Sequence, residues 1–128
     1  MFNIPISNGE LIDKITILLI KQEKIKDTDK LEYICNELKY LNKFLDKLKL
    51  QFDLETKIRQ LKTINLKLWD IEDNIRLKEK NKQFDNEFIE LARSVYITND
   101  ERAKVKLDIN ILTKSELVEV KSYEKYHS

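Results

Sequence analysis

Leu31, Ile34, Leu38, Leu41, Leu45 and Leu48 recur in alternating steps of three and four residues. That spacing lays them along one seam of a helix, as in coiled-coil packing, and predicts a helix over about 29–48. A second stripe follows, Leu54, Ile58, Leu61, Ile64, Leu68, Ile71 and Ile75, out of register with the first. The change of phase predicts a turn around Lys49 to Asp53 and a separate helix over about 54–80. The alternative is one helix from about Asp29 to Lys80 with a stutter. Upstream, Leu11, Ile12, Ile15, Leu18, Leu19 and Ile25 form a broad stripe that Ile17 and Ile20 widen further. This marks the first helix as the central, most buried one. Ser7 and Glu10 have the spacing of a capping box and Ile6 and Leu11 that of a hydrophobic staple, so the helix begins near Asn8 and runs to about Lys26.

The second half is harder to read. Lys78 to Gln83 is polar and ends the third helix, and Asp85 caps a fourth whose stripe is Phe84, Phe88, Leu91 and Val95. Thr98 and Glu101 are again spaced as a capping box, which predicts a corner at Ile97 to Asp100 and a fifth helix beyond it. Val105, Leu107, Ile109 and Ile111 then alternate with Lys104, Lys106, Asp108 and Asn110, a period of two that by itself describes a strand. Leu117 to Val120 could complete a hairpin with it.

Glycine and proline occur once each, at Gly9 and Pro5. A chain with no breaker beyond its ninth residue makes few tight turns, so helices are the default. The expected fold is all-α: a single-domain antiparallel bundle of about five helices over 1–128, with a long helical hairpin (29–48 and 54–80). Residues 1–7 form an extended N-terminal arm and 114–128 a C-terminal tail. Its 128 residues suffice for a real core without staples.

Charge narrows the classes of function. Charged residues make up 37% of the chain, yet the net charge is only +1 and the signs are interspersed. No basic block or face stands out for nucleic acid. The densest apolar run, Ile15 to Ile20, is far too short to span a membrane. The lone Cys35 fits a reducing compartment and a place beside the second helix's seam. With no signal peptide pattern at Met1 to Pro5, a cytoplasmic location is expected. No Gly-rich loop cradles phosphates, no Cys/His cluster has zinc spacing, and the one histidine, His127, lies next to the end.

Arginine placement is the clearest chemical signal. Three of the four arginines lie in two acid-dense stretches, Leu68 to Arg76 and Phe88 to Ala103, whereas twenty lysines serve elsewhere. The guanidinium fork pairs bidentately with carboxylate or phosphate, and lysine cannot copy that geometry. Carboxylates three apart share a helix face, as do Glu10 with Asp13, Asp70 with Asp73, and Glu87 with Glu90. Twenty-three acids in 128 residues produce such pairs by chance, so the neighbouring Arg and Trp carry the signal instead. The candidate binding residues are Glu10, Asp13, Trp69, Asp70, Asp73, Arg76, Glu90, Arg93, Tyr96, Asn99, Asp100 and Arg102. Against this stands ordinary helix-surface pairing: Glu55 with Arg59, Glu72 with Arg76, and Glu90 with Arg93 are all correctly spaced for it.

The blocks Gly9–Leu18 (GELIDKITIL), Leu68–Asp73 (LWDIED), Phe88–Tyr96 (FIELARSVY), Thr98–Ala103 (TNDERA) and Lys121–Tyr123 (KSY) together resemble a small bacterial family of uncharacterised proteins. The resemblance runs nearly the whole chain, although 29–65 matches only in helical pattern and length. It implies helix through Leu112 rather than a hairpin, and a setting near genes for surface-polysaccharide assembly. Members usually carry Gly where Thr113 stands and Glu where Val120 stands. No catalytic residues carry over.

Three readings of function follow. The first is a small accessory or binding protein that recognises an anionic ligand or partner in sugar or polysaccharide metabolism through the acid/Arg cluster, with no cofactor. The second is a Mg²⁺-dependent all-α hydrolase of a nucleotide or nucleotide-sugar, using Asp70, Asp73, Glu87 and Glu90 as metal ligands. The third is a homo-oligomeric scaffold, or a docking site for a partner protein, built on the Leu31–Leu48 seam.

Overall fold

A computed structural model describes residues 1–127 as four helices: α1 (Asn8–Lys24), α2 (Thr28–Lys49), α3 (Glu55–Lys80) and α4 (Asn86–Leu112). Residues 1–6 and 115–127 form no helix or strand. The last residue of the expected tail, Ser128, lies outside the described residues.

Helix starts follow the capping residues. Ser7 Oγ accepts from the Glu10 amide at 3.1 Å, Asp27 from Asp29 and Lys30, and Asp85 from Phe88. Each satisfies an amide that the first turn leaves without a helical partner. Helices α3 and α4 end alike. Lys82 and Lys114 have φ of 54° and 51°, the left-handed conformation. The following residue returns a hydrogen bond to the last turn: Gln83 to the Lys78 carbonyl at 3.0 Å, Ser115 to that of Asn110 at 2.8 Å. This is the Schellman closure, which glycine usually fills. In a chain with one glycine, lysine fills it at a cost of about 1 kcal/mol.

Helix α1 packs against all three others, and α3 packs along α4. The core joins Leu11, Ile12, Ile15 and Leu18 of α1 to Ile34, Leu38 and Leu45 of α2, with Leu54, Leu61, Val105 and Ile109 from the remainder.

Three features depart from the sequence reading. The bundle has four helices rather than five, because Thr98 lies mid-helix and fully buried instead of capping a corner. The breakerless helix of residues 86–112 continues through it. Helices α2 and α3 are separate, yet they do not pack as a hairpin: α2 lies on α1. Its seam meets the apolar stripe of α1, the richest in the chain. The alternating segment 104–111, by contrast, is helical as the resemblance implies, which turns Val105 and Ile109 inward and leaves Leu107 and Ile111 exposed. Cys35 is exposed, with Gln22 Nε2 3.4 Å from its Sγ, rather than packed beside the seam. No helix among the described residues is long and apolar enough to cross a membrane.

Candidate functional site

Helix α4 buries a polar ridge. Thr98, Arg102, Lys106 and Asn110 follow one another at steps of four, which stacks them along one helix face. Thr98, Lys106 and Asn110 are buried and Arg102 is half-buried. The ridge meets the polar edge of α1, where Asp13 and Thr16 are fully buried.

Asp13 is the centre. Its carboxylate accepts Arg102 Nε at 3.0 Å on one oxygen and Arg102 Nη2, in a very short contact, on the other. This is the bidentate pairing that only arginine supplies. Asn65 of α3 donates to Asp13 Oδ1 and to Thr16 Oγ1, both at 2.9 Å. Three helices therefore meet on one carboxylate. Buried charge is tolerated only when paired and hydrogen-bonded, and here it is both.

Lys106 extends the network. Its ammonium lies 2.6 Å from Glu10, 3.1 Å from Glu119 and 3.7 Å from Asp13, with a side chain only 10% exposed. Glu10 thus serves Lys106 instead of closing its capping box. Burial lowers the Lys106 pKa, but the Glu10 hydrogen bond, Asp13 and Glu119 outweigh it, and the net shift is upward. The Asp13 hydrogen bonds raise that of Arg102 against its own burial. Both stay cationic at neutral pH.

Glycine is required where the two helices cross. A Cβ on Gly9 would collide with the Lys106 carbonyl and sit 3.0 Å from Asn110 Oδ1. That close approach lets Asn110 Oδ1 accept the Gly9 amide at 2.6 Å, while Ser115 Oγ accepts that of Asn8 at 3.0 Å. The end of α4 thereby caps the start of α1.

Two cavities flank the network. A groove of about 750 Å³ runs between α4 and the tail, lined by Tyr96, Asn99, Asp100, Arg102 and Lys106 on the helix and by Lys121, Tyr123, Glu124, Lys125 and Tyr126 on the tail. The Tyr126 ring stands edge-on to Tyr96 at 5.0 Å. A hydrogen bond to Asp100, with burial, pushes the Tyr126 hydroxyl up to about 12. On the other side, a crevice of about 460 Å³ is lined by Trp69, Glu72, Asp73, Arg76, Asn65 and the apolar Ile17, Ile20 and Leu68. Asn99 and Arg102 line both, as a shared wall.

The candidate residues thus divide. Tyr96, Asn99, Asp100 and Arg102 line the groove, and Asp13 and Glu10 hold Arg102 and Lys106 from behind it. Trp69, Asp73 and Arg76 line the crevice, and Asp70 is exposed and lines neither. Glu90 and Arg93 pair on the surface at 2.9 Å, and Glu72 pairs with Arg76 at 3.2 Å. Glu87 is held by Lys78, which also binds Asp85, each at 3.0 Å. Among the described residues no three His, Cys, Asp or Glu side chains group so as to hold a metal ion. The hydrolase ligand set Asp70, Asp73, Glu87 and Glu90 therefore does not assemble. Sequence reasoning missed Asn65, Lys106, Asn110 and Glu119. A step-of-four run of polar residues was the available signal for two of them.

The family of unknown function DUF6165 matches residues 2–128. The chain belongs to that family. No curated protein and no solved structure matches it. In DUF6165, therefore, geometry is the guide to function, and in this member the geometry centres on Asp13 and Arg102.

Proposed function

We propose that this protein is a non-catalytic binding protein that recognises an anionic group in the groove between α4 and the tail. One observation carries the reading. The groove gathers four cationic side chains, Arg102, Lys106, Lys121 and Lys125, beside Asp100 and Glu124, with Asp13, Glu10 and Glu119 pairing with three of the four. In the crevice Arg76 and Arg102 face Glu72 and Asp73, in balance. Cationic donors gathered in a concave site can hold an anionic group by charge-assisted hydrogen bonds. The rings of Tyr96, Tyr123 and Tyr126 add aromatic faces for the uncharged part of a ligand. A setting in sugar or polysaccharide metabolism is what the family resemblance implies.

The two other readings have less behind them. The hydrolase lacks an assembled acid set. The scaffold needs an unpartnered seam, yet Ile34, Leu38 and Leu45 are buried within the chain itself. The test is a thermal-shift screen of phosphate, nucleotides, sugar phosphates and divalent ions, with hits mapped by amide chemical shifts. Anionic hits are expected to shift Tyr96, Asn99 and Lys121, and Lys121→Gln to weaken them several-fold without loss of stability. Shifts confined to other surfaces, or selective binding of divalent cations, would reject the reading.

A further inference from the structure

The segment after α4 is attached differently from the rest of the chain. Beyond Ser115, no backbone–backbone hydrogen bond among the described residues holds it. Side chains do: Glu119 to Lys106 at 3.1 Å, and the Tyr126 ring to Tyr96 at 5.0 Å. Leu117, Val118, Val120 and Tyr123 are all exposed. A segment with so few buried apolar contacts opens at low free-energy cost.

The charges can be parted along the same line. Glu10, Asp13, Arg102 and Lys106 are two acids and two bases, neutral within α1 and α4. Glu119 arrives with its own counter-ion, Lys121, at 2.8 Å. If Glu119 leaves, Lys121 is freed at the groove wall, Lys106 keeps Glu10 at 2.6 Å, and no buried charge is stranded. Asp13 has no such freedom, since removing it strands Arg102.

We propose that Glu119 is an internal occupant of the groove. Its carboxylate holds the position on Lys106 that a carboxylate or phosphate group from outside takes, and Leu117 to Val120 is a strap displaced by that exchange, while Lys121 to Tyr126 stay as the groove wall. This rests on the anion reading of the groove. An attached competitor acts at high effective concentration, so the apparent affinity for an external anion is reduced by the fraction of time the strap is closed.

The test compares the full chain with Glu119→Gln, which keeps the size and removes the charge at an exposed position. Inorganic phosphate is the probe, followed by amide shifts and by hydrogen exchange in 117–120. The variant is expected to exchange tail amides about tenfold faster and to bind phosphate about fivefold more tightly. Phosphate is also expected to speed tail exchange in the unmodified chain. Equal affinities with shifts at Lys106 and Arg102, or unchanged tail exchange in the variant, overturn the strap and leave the groove reading standing. No groove shifts in either protein overturn both.

Discussion

Helices α2 and α4 are attached to the same partner, α1, by opposite means. The buried residues of α2 are Ile34, Leu38 and Leu45, all apolar. Those of α4 are Thr98, Val105, Lys106, Ile109 and Asn110, with half-buried Arg102 at the centre of its network. An apolar seam is non-directional and tolerates small shifts of register. A carboxylate gripped by a guanidinium fork and a carboxamide tolerates almost none. Helix α2 therefore supplies stability, while α4 is fixed in one position and presents a charged face at the groove.

Substitutions can break this comparison. Asp13→Ala strands Arg102 beside an unfilled site and is expected to cost about 4 kcal/mol in urea denaturation; a loss under 1 kcal/mol would show that the network positions nothing. Leu45→Ala is expected to cost about 3 kcal/mol by cavity formation, while leaving amide shifts around Arg102 unchanged. Should those shifts move, the two halves are coupled and the division fails. Thr98 offers a finer probe, because its buried hydroxyl has no hydrogen-bond partner. Thr98→Val keeps the shape and removes that group, so a gain of about 1 kcal/mol is expected; a loss would place a partner on the hydroxyl.

The smallest effects belong to pH, and they concern the tail. Lys121 and Lys106 hold the Glu119 pKa below its ordinary 4.5. Its attachment is therefore present above that value and lost as pH falls through the lowered one. Tail exchange is expected to quicken in acid while the helices stay protected. Tyr126 works in the other direction. With its pKa raised from 10.0 to about 12, its contribution is complete below 10.0 and lost as pH rises toward 12. One of the five tyrosines should ionise late in a spectrophotometric titration, and five normal midpoints would remove its contact with Asp100.

What could be read from the sequence follows the same division. Three of the helices came within two residues of their bounds, set by apolar spacing and, for α1, by the cap at Ser7. Helix α4 was misread as two, because its buried face contains Thr98, Arg102, Lys106 and Asn110, which any hydrophobic pattern counts as solvent-facing. The surface pairs Glu55–Arg59, Glu72–Arg76 and Glu90–Arg93 were legible because they are local. Asp13–Arg102 spans 89 positions, and both ends were candidates without any spacing to join them. Asn65 and Glu119 gave no local signal, since their partners lie on other elements.

Trp69 is the only tryptophan in the chain, and it sits half-buried in the crevice whose wall is Arg102 and Asn99. An indole so placed is a native optical reporter, its emission set by solvent access and by the charges beside it. Any event that moves Arg102 in the groove changes the surroundings of the ring from behind. The molecule can therefore be watched in solution without a label, and a change in colour or quenching would report across the wall that separates the two cavities.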